Sequence, residues 1–278
     1  MRNQPILEVT DLQVTFTGSP AVHAVRGVGL QVARGERVGI VGESGSGKST
    51  TALSLLRLHD EARTSYGSDS VVRYRDQNLL SLSQGMLRTV RGAGIAMVFQ
   101  NPLSSLSPVY RVGKQIESVI RAHRRHAGQK TGARREVRVA ALEALRAAGI
   151  SDADAIFERF PHELSGGLRQ RALIAMAMSC NPEILVADEP TSALDATIQR
   201  AVLSTFCELS ASRGMALLLI THDIGVVSYT CERVYVMSEG RVVEEGKTDD
   251  VIRSPKHAYT KELLGSRFRQ FLVEYHDE

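Results

Sequence analysis

Residues 42–50 read Gly-Glu-Ser-Gly-Ser-Gly-Lys-Ser-Thr and fit the pattern Gly-x-x-x-x-Gly-Lys-Ser. Glycines at this spacing let successive backbone N–H groups turn toward one point, and a helix that follows adds its positive N-terminal end. A polyphosphate fits such a loop. Gly42, Ser44, Gly45, Ser46, Gly47 and Thr50 are the candidate cradle. Lys48 is placed to reach the β and γ phosphates as a mobile point charge, and the Ser49 hydroxyl is a candidate ligand of the accompanying Mg²⁺. The flanks agree with this reading: residues 37–41 (Arg-Val-Gly-Ile-Val) predict a short strand entering the loop, and residues 50–56 predict a helix leaving it. A Gly/Ser-rich linker is the competing reading, and it would need neither flank.

The loop alone leaves many classes of phosphate-handling enzyme open, so the later segments carry the next step. Residues 184–187 (Ile-Leu-Val-Ala) form the continuous apolar run that a parallel strand buried on both faces requires, and the run ends in Asp188-Glu189. Asp188 at the strand end can hold Mg²⁺ through water. Glu189, one step on and facing the other way, can polarise an attacking water. Capping of a helix N-terminus is the other use of paired acids there. A further apolar run, residues 95–99, precedes Gln100, and residues 216–220 precede Thr221-His222-Asp223. Residues 164–171 read Leu-Ser-Gly-Gly-Leu-Arg-Gln-Arg and lead into an apolar helix over 172–178. Ser165, Gly166 and Gly167 therefore offer a second anion-binding face at a helix start.

At this point the chain resembles the ATP-binding subunits of ABC transporters, through nearly its whole length. Residues 164–171, with Gln170 among them, look like the signature motif that separates this family from other phosphate-loop ATPases. The resemblance implies an α/β fold, a phosphate-loop NTPase core with an antiparallel β subdomain and an inserted helical subdomain at about 101–180. The ATP-binding domain would span 1–265, with a C-terminal tail over 266–278. It implies ATP and Mg²⁺ as the bound groups, and a head-to-tail dimer in which the signature of one subunit closes over ATP on the phosphate loop of another. Gln100 would sense the γ-phosphate and Mg²⁺. His222 would contact the γ-phosphate, and Ser192 to Asp195 would cross the dimer. Phe16 would stack on adenine.

Composition sets limits. A chain of 278 residues with 43% hydrophobic content can bury a large core. It has no apolar run of 18 residues, and its start, Met-Arg-Asn-Gln-Pro, lacks the apolar stretch of a secretory signal. The expected location is the cytosol, on the inner face of the cell membrane. Cys180, Cys207 and Cys231 have no metal-site spacing and fit a reducing compartment. A formal charge of +3 does not argue for nucleic acid as a partner. Residues 121–138 are dense in Arg, Lys and His, which reads as a solvated helix and loop, with proximity to acidic lipid or a membrane partner as the sharper alternative. Phe268, Phe271, Leu272 and Tyr275 recur as one face of a helix that could dock on its own domain.

Three stretches resemble the ATPases of the peptide and nickel importer group: residues 100–108, Arg91-Gly92, and residues 254–264 (Ser-Pro-Lys-His-Ala-Tyr-Thr-Lys-Glu-Leu-Leu). Ser107 departs from the Asn common there, and the tail lacks the cysteine cluster of many peptide-importing members. The resemblance therefore implies the ATPase of an importer for peptides or for nickel and other metal chelates. Its partners would be two membrane permease subunits, a second ATPase subunit of the same or a different sequence, and indirectly an extracytoplasmic substrate-binding protein. The alternative is an accessory ATPase of a soluble complex of the phosphonate-degradation type. ABC ATPases of DNA repair or the ribosome would be expected to show paired cassettes, zinc-type cysteine pairs or a long charged linker, and the sequence has none.

Overall fold

The structure, a computed structural model, describes residues 5–100, 105–192 and 194–265. The chain divides into two compact units, residues 1–83 with 216–278, and residues 84–215.

The first unit holds an antiparallel sheet and a mostly parallel set of strands. Strands β1 (Pro5–Phe16) and β2 (Val22–Ala33) pair antiparallel along most of their length. The smaller strands β4 (Thr64–Tyr66) and β5 (Val71–Tyr74) also pair with β1, and β6 (Gln77–Asn78) pairs with β5. Alternation explains the pairing: Leu7, Val9, Leu12 and Val14 of β1 are buried, with the parity reset by a bulge between Val9 and Leu12 where Asp11 has a φ of 43°. Strand β3 (Arg37–Val41) lies between β9 (Ala216–Thr221) and β10 (Arg233–Ser238), parallel to both, and β11 (Arg241–Lys247) closes the edge antiparallel to β10. Val38, Ile40 and Val41 of β3 and residues 217–220 of β9 are fully buried, as a strand covered on both faces demands. Helix α1 (Lys48–Leu55) follows β3, α8 (Ile224–Thr230) packs on β3, and α9 (Thr248–Arg253) follows β11. Residues 258–265 are helical.

The second unit is mainly helical. Helix α2 (Gln84–Val90) leads to β7 (Ile95–Val98), which pairs parallel with β8 (Ile184–Asp188). Between these strands run α3 (Val112–His126), α4 (Arg134–Ala147), α5 (Ala153–Glu158) and α6 (Gly166–Met178), and α7 (Ala196–Arg213) follows β8. Val112, Ile116 and Ile120 of α3 and Val137, Ala141 and Leu145 of α4 repeat every four residues and are buried, giving each helix one apolar stripe. Phe157 of α5, fully buried, fills the space between them, a contribution of about 1.5–3 kcal/mol. Its ring carries the Arg138 guanidinium at 4.1 Å, and Arg138 also pairs with Glu158 at 2.8 Å. Within the basic segment, Arg138 is thus part of the packing, while Arg125, His126, Lys130, Arg134 and Arg135 are exposed. Residues 101–104, Ala193 and the aromatic residues Phe268, Phe271 and Tyr275 lie outside the described residues. Among the described residues, no helix is long and apolar enough to cross a membrane.

Candidate functional site

The loop that leaves β3 is shaped by what its glycines touch. A Cβ on Gly42 would lie 2.1 Å from the Met237 carbonyl oxygen, and one on Gly47 would lie 2.6 Å from the Ala24 carbonyl oxygen. Gly47, with a φ of 97°, is also the N-cap of α1, so the left-handed turn that starts the helix falls where only glycine fits. The backbone is further tied down by Gly240 N–H donating to the Ser46 carbonyl at 3.0 Å.

Lys48 opens α1, is 6% exposed, and folds back over the loop. Its Nζ donates to the carbonyls of Gly42 at 2.8 Å and Glu43 at 2.7 Å, and at 3.4 Å to the Ser46 hydroxyl. These oxygens receive a buried ammonium beside a glycine-rich loop at a helix N-terminus. That donor set fits a polyphosphate, whose charge such an ammonium would neutralise.

Strand register brings further candidates to the same end of the first unit. Val41 pairs with Thr221 across parallel strands, so Gly42 and His222 leave adjacent strands at their carboxyl ends. His222 is half-buried, and its neighbours are fixed: Asp223 N–H donates to the Thr221 hydroxyl at 3.1 Å, and the Asp223 carboxylate caps α8 by accepting from Gly225 N–H at 2.8 Å. Phe16 ends β1, half-exposed, its ring edge-on to His59 at 5.2 Å. His59 in turn meets the Thr50 carbonyl at 3.0 Å, which links the aromatic to α1.

In the second unit, Val98 pairs with Ala187, so Gln100 and the Asp188-Glu189 pair emerge at one end of β7 and β8. Gln100 is exposed, whereas Asp188 is 5% and Glu189 8% exposed. Ser165 is the N-cap of α6 and its hydroxyl accepts from Leu168 N–H at 3.4 Å. Gly166 is exposed; a Cβ on Gly167 would lie 2.5 Å from Cγ2 of Ile198. The signature therefore packs directly against α7, whose N-cap is Asp195, accepting from Ile198 N–H at 3.0 Å. Gln170 is 1% exposed, and its Nε2 has no hydrogen-bond partner among the described residues.

One contact was not anticipated. The Glu43 N–H within the loop donates to the Tyr259 hydroxyl at 2.8 Å. Tyr259 lies in the stretch 254–264, which the sequence marked only through its likeness to a subfamily, because no local pattern ties a residue near the end of the chain to a loop more than two hundred positions earlier.

The ABC transporter family model matches residues 25–192, more than half of the chain. The chain is 47% identical to a probable peptide ABC transporter ATP-binding protein of Sinorhizobium fredii, over 94% of this chain and 76% of that protein. It is 45% identical to a probable D,D-dipeptide transport ATP-binding protein of Escherichia coli, over 94% of this chain and 78% of that protein. A dimeric ATP-binding cassette solved in a post-hydrolysis state with ADP and Pi superposes with a TM-score of 0.74 at 29% identity, covering 87% of this chain and 98% of that one. These likenesses do not favour the soluble accessory ATPase considered from sequence, and nickel is less directly supported by them than peptide. The chain is a member of the ABC transporter family, a nucleotide-binding ATPase subunit with a phosphate-loop α/β fold.

Proposed function

We propose that the chain powers import of peptides through membrane permeases, as one of two ATPase subunits held at the inner face of the membrane. The observation that carries the reading is the buried Lys48 ammonium bound to the carbonyls of Gly42 and Glu43 over a loop that excludes side chains. Likeness to peptide and D,D-dipeptide transport proteins supports the cargo class.

The roles follow from the chemistry of each group. The loop amides of residues 44–50 and Lys48 grip the triphosphate, and Phe16 stacks on the base. Ser49, Asp188 and Gln100 are oxygen donors of the hard type that Mg²⁺ takes, and bound Mg²⁺ supplies neutralising charge to the phosphates. Glu189 polarises the attacking water, and His222 fixes the geometry of attack. Ser165, Gly166 and Gly167 offer their helix start to the nucleotide of a second subunit, with Gln170 and Asp195 bracing that face. Residues 1–265 form the ATP-binding domain, with the helical part at about 101–180 turned to the permeases.

The test is affinity purification of the tagged chain from membranes of its host. Co-purification of multi-spanning permeases, with ATPase activity that rises when a peptide-loaded binding protein is added, is the expected result. Recovery with soluble enzymes alone would overturn the transport reading.

A further inference from the structure

The peptide group joining Gly42 to Glu43 is held from both sides. Its N–H donates to the Tyr259 hydroxyl at 2.8 Å, and its carbonyl accepts from Lys48 Nζ at 2.8 Å. N–H and C=O of one trans peptide point in opposite directions in one plane, so fixing the N–H fixes the direction of the carbonyl. The hydroxyl of Tyr259 therefore helps to orient one of the oxygens that receive the Lys48 ammonium. The two bonds also polarise one another through the shared amide.

Tyr259 is itself carried on a tethered segment. The Glu244 carboxylate on β11 accepts from the amides of Lys256 at 2.8 Å and His257 at 3.0 Å. His257 Nδ1 then accepts from Tyr259 N–H at 3.2 Å. Leu263 and Leu264, 2% and 7% exposed, anchor the helix over 258–265 that begins beside Tyr259. Burial raises the Glu244 carboxyl's pKa, but hydrogen bonds that include those two amides, and the charge of His257, outweigh it and hold it below the usual value. Glu244 is the tether's acceptor.

We propose that Tyr259 is a positioning residue for nucleotide binding: through the Glu43 amide it pre-sets the phosphate loop and Lys48. The segment 254–264 becomes in this way a brace on the ATP site, and a change in the C-terminal region that shifts Tyr259 alters nucleotide affinity. The inference rests on the reading of residues 42–50 as the nucleotide loop.

Its test is titration of the purified protein with a fluorescent ATP analogue and Mg²⁺, comparing wild type, Lys48→Ala, Tyr259→Phe, Glu244→Gln and the last two combined. Phenylalanine keeps the ring and removes only the hydroxyl. Tyr259→Phe is expected to weaken binding about 3–10-fold, the worth of one hydrogen bond. The KM for ATP should rise by a similar factor, with kcat falling by less. The melting temperature without nucleotide should move by no more than about 2–4 °C. Glu244→Gln should weaken binding in the same direction, and the double variant should be no weaker than the worse single one, because both act through one tether. Wild-type affinity in Tyr259→Phe, with Lys48→Ala defective, would overturn the inference and leave the nucleotide site standing. So would a loss of affinity accompanied by an equal loss of kcat and a large drop in melting temperature, which is a folding effect. Wild-type affinity in Lys48→Ala would overturn the site reading on which both rest.

Discussion

Glu189 stands at a φ of 46°, in the left-handed region that a residue with a side chain rarely adopts, and it is 8% exposed. A non-glycine residue held there costs about 1–3 kcal/mol and persists only when its surroundings over-determine it. Here Ser192 supplies part of that restraint, its hydroxyl donating to the Glu189 carbonyl at 3.2 Å. At this φ Glu189 leaves the extended backbone of the strand that ends at Asp188. Replacing Glu189 by Gln keeps size and backbone but removes the charge that would polarise water. Steady-state ATP hydrolysis should fall about 10²–10⁴-fold, while affinity for the fluorescent ATP analogue stays within about 3-fold of wild type. Hydrolysis at the parental rate would take the base assignment away from Glu189. The loop of residues 42–50 and the helix that follows it were legible from the spacing of the glycines, since local backbone geometry dictates them. Tyr259 was not, because its role depends on tertiary contact.

Elements were read well where hydrophobic runs are short and bounded. Residues 37–41, 184–187, 95–99 and 216–220 were each expected as strands, and the structure has β3, β8, β7 and β9 there, with ends differing by at most one residue. The helix expected from Thr50 begins two residues earlier, at Lys48, because Gly47 caps it, and the helix expected over 172–178 begins at Gly166 behind its Ser165 cap. Caps, which hydrophobic periodicity does not register, explain both differences. The links between elements were less legible. Glu36, in the turn before β3, pairs with Arg233 of β10 at 2.8 Å and accepts from Ala33 N–H at 2.7 Å. Arg233 also hydrogen-bonds the Tyr235 hydroxyl. Burial pushes the Glu36 carboxyl up, but Arg233 and the Ala33 amide outweigh it, so its pKa lies below the usual 4.5. A carboxyl lowered on folding stabilises the fold above its unfolded pKa and loses that contribution as pH falls through the folded value. Glu36→Gln should therefore cost about 1 kcal/mol at pH 7, a modest figure because the pair is partly screened by solvent. Urea unfolding at a series of pH values should show the gap from wild type closing as pH drops below 4.5. A gap constant with pH would mean that the charge of Glu36 contributes nothing.

For the whole molecule, the family likeness fixes the activity class, and the arrangement of each unit supports a division of labour. The first unit carries the glycine loop of residues 42–50, the candidate triphosphate site. The second presents Ser165, Gly166 and Gly167 at the start of α6, packed against the helix that Asp195 caps. Two glycine-bearing helix starts in one chain suit a pair of subunits that each offer one face to the other's nucleotide. The most direct measurement is the mass of the Glu189→Gln variant by light scattering after gel filtration, with and without ATP, compared with the same variant carrying Ser165→Arg. The account predicts a dimer only with ATP, two nucleotides per dimer, and a monomer at all nucleotide concentrations once Ser165→Arg is added. A Ser165→Arg variant that dimerises as readily, or steady hydrolysis by a wild-type chain that stays monomeric, would contradict it.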